Sequence, residues 1–208
     1  MANVTPKEQE VLDLVRELGI ARVRDLTALG LHPEHLRRLV HKGRVERLDR
    51  GVYALTDREF TEHHSLAQVA ARAPGSVVCL LSALQFHELT TQMPRGVWIA
   101  ISPRARSPVM KTPSLQVFRF SGRSLSEGWA EHRIEGVPVR IFEPAKTVAD
   151  SFKFRNTVGL EVALDALREC LRDRRATVDE LLHFARICRV ERVMRPYMEA
   201  MVAIGLSR

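Results

Sequence analysis

Hydrophobic positions at the start of the chain follow the period of an α-helix. Apolar residues repeat every three or four positions, first behind Thr5 and Glu8, which have the spacing of a capping box, and then in two shorter stretches. Glycines close all three stretches, as is common at helix ends. The predicted helices span residues 6–18, 23–29 and 33–42.

The pattern then changes to two short runs typical of β-strands. They cover residues 44–48 and 52–55 and flank the turn Asp49-Arg50-Gly51. Three short helices followed by a β-hairpin is the element order of a winged helix-turn-helix. We therefore predict a DNA-binding domain of this type at residues 1–57.

After a polar segment, strand and helix patterns alternate, which predicts a second domain at residues 58–208. Predicted helices span 64–73 and 82–87, strands span 97–102, 115–120, 130–134 and 137–142, and further helices span 145–154, 158–172, 178–188 and 193–204. The predicted fold class is α+β, with the winged helix-turn-helix followed by a small mixed sheet backed by helices.

The distribution of charge makes the functional prediction for the first domain more specific. The chain has 32 Lys and Arg against 25 Asp and Glu, a formal charge of +7, which favours an anionic partner. At 100° per residue, Leu36, Leu39 and Val40 share one face of the third helix, opposite a mostly basic face. The candidate DNA-contacting residues are His35, Arg37, Arg38, His41, Lys42, Arg44, Arg47 and Arg50.

In a winged helix the second helix of the turn motif enters the major groove, where arginine can bind a guanine edge through two hydrogen bonds. Arg47 and Arg50 in the hairpin would then lie near flanking phosphates or the minor groove. The alternative is a solvated basic face with no partner. The helix order, the hairpin and the net charge together favour double-stranded DNA.

A second basic region is marked by missing acids. No Asp or Glu occurs at residues 89–126, and the loop at 102–114 contains three prolines, so we expect it to be exposed and extended. The region could extend the DNA footprint, bind another anion, or only solubilise a loop. Its candidate residues are Arg95, Arg104, Arg106 and Lys111.

The sequence gives little support for an enzymatic function. Gly75-Ser76 is not accompanied by the Asp-x-Asp pair of a nucleotidyltransferase, and Glu143 and Lys146 are one residue too far apart for a nuclease motif. His63-His64 lacks the spacing of a zinc helix, and no phosphate-binding glycine loop occurs. We predict no catalytic residues, no metal and no cofactor.

The three cysteines, Cys79, Cys170 and Cys188, form no C-x-x-C pair, and we interpret them as buried reduced thiols. The opening residues lack the layout of a signal peptide, and no apolar run is long enough to span a bilayer. These features predict a cytoplasmic protein that does not contact membranes.

Several segments, in order, resemble the AbiEi family, the antitoxins of AbiE type IV toxin–antitoxin systems. In the first domain these are the helix-turn-helix and RLDRGVYAL. In the second they are VVCLLSALQFHELT, VWIAIS and IEGVPVRIFEPAKTVADSFKFRNTVGLEVALDALREC.

The resemblance implies a repressor that binds inverted repeats in its own promoter. Because one winged domain reads only a half-site, we expect a monomer in solution or two copies assembled on the DNA. The resemblance also implies a second domain that counteracts a nucleotidyltransferase toxin, with Thr147, Asp150 and Lys153 as a possible motif. Thr147 could equally bond a carbonyl one turn back, and Asp150 could pair with Lys146 or Lys153. A module that binds the toxin directly and a degenerate nuclease-like domain are the alternatives.

Overall fold

The computed structural model describes residues 4–57 and 61–205, without the side chain of Asp49. Two compact units make up the chain. The first comprises Met1–Ala71 with Arg133–Pro138, and the second comprises Arg72–His132 with Val139–Arg208.

The first unit has the element order of a winged helix-turn-helix. Its elements are α1 (Pro6–Leu18), β1 (Ile20–Arg22), α2 (Val23–Ala28), α3 (Glu34–His41), β2 (Val45–Asp49) and β3 (Val52–Leu55). The strands form an antiparallel sheet in the order β1-β3-β2. Strand β1 was not predicted, because three residues are too few to show any alternation in the sequence.

Local signals in the sequence explain both ends of α1. The Thr5 hydroxyl accepts from the Glu8 backbone N–H at 3.3 Å, and the Glu8 carboxylate accepts from the Thr5 N–H at 2.7 Å. The helix ends at Gly19, whose φ of 66° favours glycine. Between these ends, Val11, Leu12 and Val15 point into the core of the unit.

The remaining elements follow along the chain, and the first of them, the helix at residues 64–72, lies in the first unit up to residue 71. They are α4 (His64–Arg72), β4 (Val77–Val78), α5 (Leu80–Phe86), β5 (Val97–Ile101), β6 (Leu115–Arg119), α6 (Arg123–Ser126), β7 (Trp129–Ile134), β8 (Val137–Phe142), α7 (Pro144–Lys153), α8 (Arg155–Val158), α9 (Leu160–Arg172), α10 (Val178–Cys188) and α11 (Glu191–Ala203).

Five of these strands form a mixed sheet in the order β6-β5-β4-β8-β7. β5 runs parallel to β6 and antiparallel to β4, and β4 runs parallel to β8. The predicted α+β fold with a mixed sheet is confirmed. The central strand β4 has only two residues, and its pattern gave no strand signal.

Helix α7 lies at the centre of the second unit and packs against α5, α9 and α10. Its residues from Ala145 to Phe152 are all buried. The predicted helix at 158–172 is wrong at its start, because Gly159, at φ 100°, separates α8 from α9. A glycine with that backbone interrupts the hydrogen-bond ladder although the apolar spacing continues across it.

The predicted domain boundary at residue 57 stays a prediction, since residues 58–60 lie outside the described part of the chain. Among the described residues, none of the helices has the length and apolar character needed to cross a bilayer.

Candidate nucleic-acid interface

Helix α3 separates apolar from basic side chains as its spacing predicts. Leu36 and Leu39 are fully buried in the core of the first unit. The side chains of Arg37 and Arg38 are 83% and 58% exposed. The helix therefore presents two guanidinium groups to solvent from a backbone that its leucines hold in place.

The two arginines share one acidic neighbour. Glu34 lies 3.5 Å from the Nε atom of Arg37 and 3.8 Å from that of Arg38. Exposed ion pairs of this kind are weak, about 0–1 kcal/mol. Glu34 can therefore orient the two arginines, and either arginine can still leave Glu34 to bind a base edge or a phosphate.

Lys42, at the end of α3, differs from the other candidate residues. Its ammonium contacts the two carboxylate oxygens of Glu8 at 2.7 and 2.9 Å, and its side chain is only 24% exposed. Lys42 is therefore less exposed than Arg37 and Arg38, and its predicted contact with DNA stays a prediction. The hydrogen bonds from Lys42 and Thr5 lower the pKa of Glu8 to about 2.

The two histidines of α3 occupy different surroundings. His41 is exposed on the last turn. His35 is partly buried, and within the described residues its Nδ1 atom is buried without a hydrogen-bond partner. A buried polar atom without a partner is unfavourable, and a rotation of the ring or a contact with a ligand would relieve it.

The hairpin supplies the remaining candidates. Arg44 just before β2, Arg47 within it and Arg50 in the turn are exposed, and Arg47 lies opposite Tyr53 of β3. The turn uses Gly51 at φ 75°, a backbone that glycine adopts without strain. Its position after α3 is that of the wing in a winged helix-turn-helix.

The second predicted basic region is exposed, as expected. Arg95, Arg104, Arg106 and Lys111 all reach solvent. Arg119 holds the loop between β5 and β6 in shape, since its guanidinium donates to the carbonyl of Ser102 at 2.9 Å and to other loop oxygens. This loop is therefore exposed but tied to the sheet.

The possible motif on α7 divides into buried and exposed residues. Thr147 and Asp150 are fully buried, and the Thr147 hydroxyl donates to the Phe142 carbonyl at 3.0 Å. Of the two alternative partners, Asp150 forms its ion pair with Lys146. Lys153 is exposed and is the member of the three that a partner could reach.

The buried cysteines are free thiols, as predicted. Burial raises the pKa of Cys170 and Cys188 to about 12 and raises the pKa of Cys79 well above its usual value. All three therefore stay protonated near neutral pH. In the described part of the chain, no three His, Cys, Asp or Glu side chains cluster closely enough to hold a metal ion.

Glu8 shapes this surface, although the sequence pattern did not predict that role. It lies 34 residues before Lys42, and its capping-box role already accounts for it locally. The sequence does contain a weak signal for an ion pair at Glu8, because a carboxylate on the buried side of α1 requires a partner of opposite charge. Which of the neighbouring cations would supply it depends on how α1 packs against α3.

Comparison with known proteins agrees with this geometry. The sequence profile of the AbiEi_4 family, described as "Transcriptional regulator, AbiEi antitoxin", matches residues 9–56. No curated protein matches the chain. The crystal structure of RV2827C protein from Mycobacterium tuberculosis is similar in fold, with a TM-score of 0.57 and 14% identity over 97% of this chain and 82% of that one.

At that identity the structural likeness supports a shared fold alone. The profile match covers the segment from α1 to the end of the wing, which contains all of the α3 and hairpin arginines described above. By this match residues 9–56 are similar to the AbiEi_4 family, whose description is that of a transcriptional regulator and antitoxin.

Proposed function

We propose that this protein represses its own promoter by binding inverted repeats and acts as the antitoxin against a nucleotidyltransferase toxin. The observation that carries the proposal is helix α3, whose buried leucines fix Arg37 and Arg38 on an exposed face within a winged-helix framework. The match to the AbiEi profile supports the same role.

In the proposed complex α3 lies in the major groove. Arg38, and with it Arg37, reads base edges, because a guanidinium can donate two hydrogen bonds to one guanine. Arg44, Arg47 and Arg50 contact the phosphates beside that groove or the adjacent minor groove. His41 extends the same face, and His35 would need a rotation of its ring to join it, because its unpaired Nδ1 atom is buried.

One winged helix reads one half-site. An inverted repeat presents two half-sites with opposite orientation, so two copies of the chain bind with the symmetry of the DNA. The copies can be monomers in solution and meet on the operator.

Binding to the promoter upstream of the gene tests the DNA-reading role. We expect affinity for that promoter to exceed affinity for a scrambled sequence, and log K to fall linearly with log salt concentration. Arg38→Ala should weaken promoter binding by about 1–3 kcal/mol and reduce the preference over scrambled DNA. A uniform loss over all sequences would instead make Arg38 a phosphate contact.

Arg168→Ala is the matched control. Arg168 pairs with Asp165 on α9 at 2.6 Å, as Arg38 pairs with Glu34 on α3, and the substitution removes the same charge from the second unit. A loss equal to that of Arg38→Ala would argue against α3 as the reading helix.

The antitoxin role requires a separate test, because repression alone could lower toxin levels. The chain and the toxin would be expressed from unrelated promoters, and growth would be measured with the unmodified chain and with an Arg37→Ala, Arg38→Ala double variant. We expect both to protect the cells. Protection lost with DNA binding would contradict neutralisation by the second unit.

Co-purification in the same strains distinguishes the two possible routes of neutralisation. A stable complex would favour the direct toxin-binding module, and protection without a complex would favour an indirect antitoxin.

A further inference from the structure

The second unit contains a cavity of about 770 Å³ that the DNA-binding role does not use. Three chain segments that are distant in sequence form it: residues 121–124 before and within α6, residues 153–155 at the α7–α8 junction, and residues 186–190 at the α10–α11 junction. All three are helix ends and turns, and they position side chains from different directions around one recess.

Every charged side chain that lines this recess within the described residues is basic. The set consists of Arg123, Lys153, Arg155, Arg186 and Arg189. No pattern in the sequence groups them, because they come from three separate segments with no shared periodicity.

Two of these cations are paired with an acid outside the lining. Arg123 donates to the Glu127 carboxylate at 2.6 and 3.0 Å, and Arg186 lies 3.3 Å from Glu191. These pairs cancel two of the five charges. The other three cations give the recess an excess of positive charge.

The remaining three cations form no ion pair with an acid among the described residues. Arg155 donates to the Phe152 carbonyl at 3.0 Å, a bond that orients its guanidinium but leaves the charge uncompensated. The Lys153 ammonium lies 5.7 Å from the ring centroid of Phe120 and 5.8 Å from that of Phe154. Like charges gathered this way repel one another, and an anion between them would remove the repulsion.

Arg189 occupies a backbone position that glycine usually takes. It ends α10 with φ 60° and ψ 39°, the left-handed cap. A side chain there is less favourable than glycine. The residue nevertheless carries an exposed guanidinium to the edge of the recess.

We propose that this recess is a binding site for a small ligand that carries two or more phosphate groups. Its volume lies within the ~300–1,000 Å³ range of small-molecule sites and exceeds what one phosphate would fill. Lys153 supplies a compact ammonium, and Arg155 and Arg189 supply planar donor pairs that match phosphate oxygens. A recess lined by three turns suits a compact anion better than an extended nucleic-acid backbone.

The ligand can be a nucleoside polyphosphate or a plain polyphosphate. Calorimetric titration of the full chain with ATP and with tripolyphosphate, at fixed ionic strength, distinguishes these sources. Binding of both with equal affinity assigns recognition to the phosphates, and tighter binding of ATP assigns part of it to the nucleoside. Absence of binding by either probe at millimolar concentration would overturn the proposal.

Arg189→Gly is the decisive variant. It removes a lining charge and places glycine where the backbone favours it, so the fold should be retained or slightly stabilised. We expect about tenfold weaker binding of the phosphate probe, the usual magnitude for losing one charge-assisted hydrogen bond. Lys153→Gln, at an exposed position, should weaken binding in the same direction.

Arg174→Gly is its matched control. Arg174 is also exposed and also has a positive φ, of 52°, but it does not line this recess. If both variants lost the same affinity for the phosphate probe, the loss would follow from the lower net charge alone, and the proposal would be wrong.

Promoter binding by the same variants separates this site from the DNA interface. We expect Arg189→Gly to leave promoter affinity unchanged, whereas Arg38→Ala weakens promoter binding and leaves phosphate binding intact. If Arg189→Gly weakened DNA binding and spared the phosphate probe, the recess would be a second DNA-contacting surface, and the proposal would be wrong.

Discussion

Each unit of the protein contains an ion pair between a lysine and a carboxylate, but the two pairs have different surroundings. In the first unit Lys42 joins the end of α3 to Glu8 on α1, and 24% of its side chain still contacts solvent. In the second unit Lys146 and Asp150 are one turn apart on α7, and both side chains are fully buried. One pair connects two helices at the edge of a core, whereas the other lies within a core.

The pKa values of the two carboxyl groups shift in opposite directions. The hydrogen bonds from Lys42 and Thr5 lower the pKa of Glu8 to about 2. Burial raises the pKa of Asp150 above its ordinary value, and the attraction of Lys146 opposes that rise without cancelling it. Direct hydrogen bonds dominate at the edge of the first core, and desolvation dominates inside the second.

The buried pair also contacts a thiol and two aromatic rings. The Cys188 thiol donates to Asp150 at 3.1 Å, and the Lys146 ammonium lies 4.0 Å from the ring centroid of Phe142 and 5.0 Å from that of Phe120. These contacts surround both charges with partners. The buried pair is therefore a structural element of α7, whereas the Glu8–Lys42 pair fixes how α3 sits on α1.

The largest expected effect follows from breaking the buried pair. Lys146→Ala leaves Asp150 buried without its partner and should lower the free energy of unfolding of the second unit by about 3–5 kcal/mol. The chain's two tryptophans, Trp98 and Trp129, both lie in that unit, so fluorescence during denaturation reports on it specifically. Lys111→Ala, at an exposed position, should change little.

Removing both charges separates desolvation from packing. A Lys146→Met, Asp150→Ala double variant keeps the volume of the site similar and leaves no buried charge. It should recover more than half of the stability lost in Lys146→Ala. If the double variant were as unstable as the single one, the loss of stability would come from altered packing and not from an unpaired charge.

The second effect is a pH dependence that belongs to the first unit. The folded-state pKa of Glu8 is about 2 and its ordinary value is 4.5, so its contribution is complete above pH 4.5 and is lost as pH falls towards 2. Thermal melts combined with peptide-resolved hydrogen exchange of α1 and α3 should show this loss. Glu8→Gln should be less stable near neutral pH and less sensitive to acid.

Glu10→Gln is the control for that experiment. Glu10 lies on the same helix but is exposed and pairs with Lys7 at 2.9 Å. If its acid sensitivity changed as much as that of Glu8→Gln, the specific contact with Lys42 would not be responsible.

The smallest expected effect concerns DNA binding by Lys42. Because its ammonium is held by Glu8, Lys42→Met should change promoter affinity by less than about 0.5 kcal/mol, even if it lowers the stability of the first unit. The measurement is made at a temperature where the variant is fully folded, beside Arg38→Ala. A loss as large as that of Arg38→Ala would return Lys42 to the DNA-contacting face.

Local patterns determined much of this protein from sequence alone. The capping box at Thr5, the apolar spacing of α1 and α3, and the turn at Gly51 depend on neighbours a few residues apart, so the winged-helix order and the exposure of Arg37 and Arg38 could be predicted. The helical periods of α7, α10 and α11 were equally visible.

Only the tertiary structure decided the rest. β1 and β4 have three and two residues, and they become strands through hydrogen bonds to distant segments, β3 for the first and β5 and β8 for the second. The partner of Lys42 and the cations around the recess likewise come from separate parts of the chain. Sequence periodicity records neighbours along one element, whereas packing sets which elements meet.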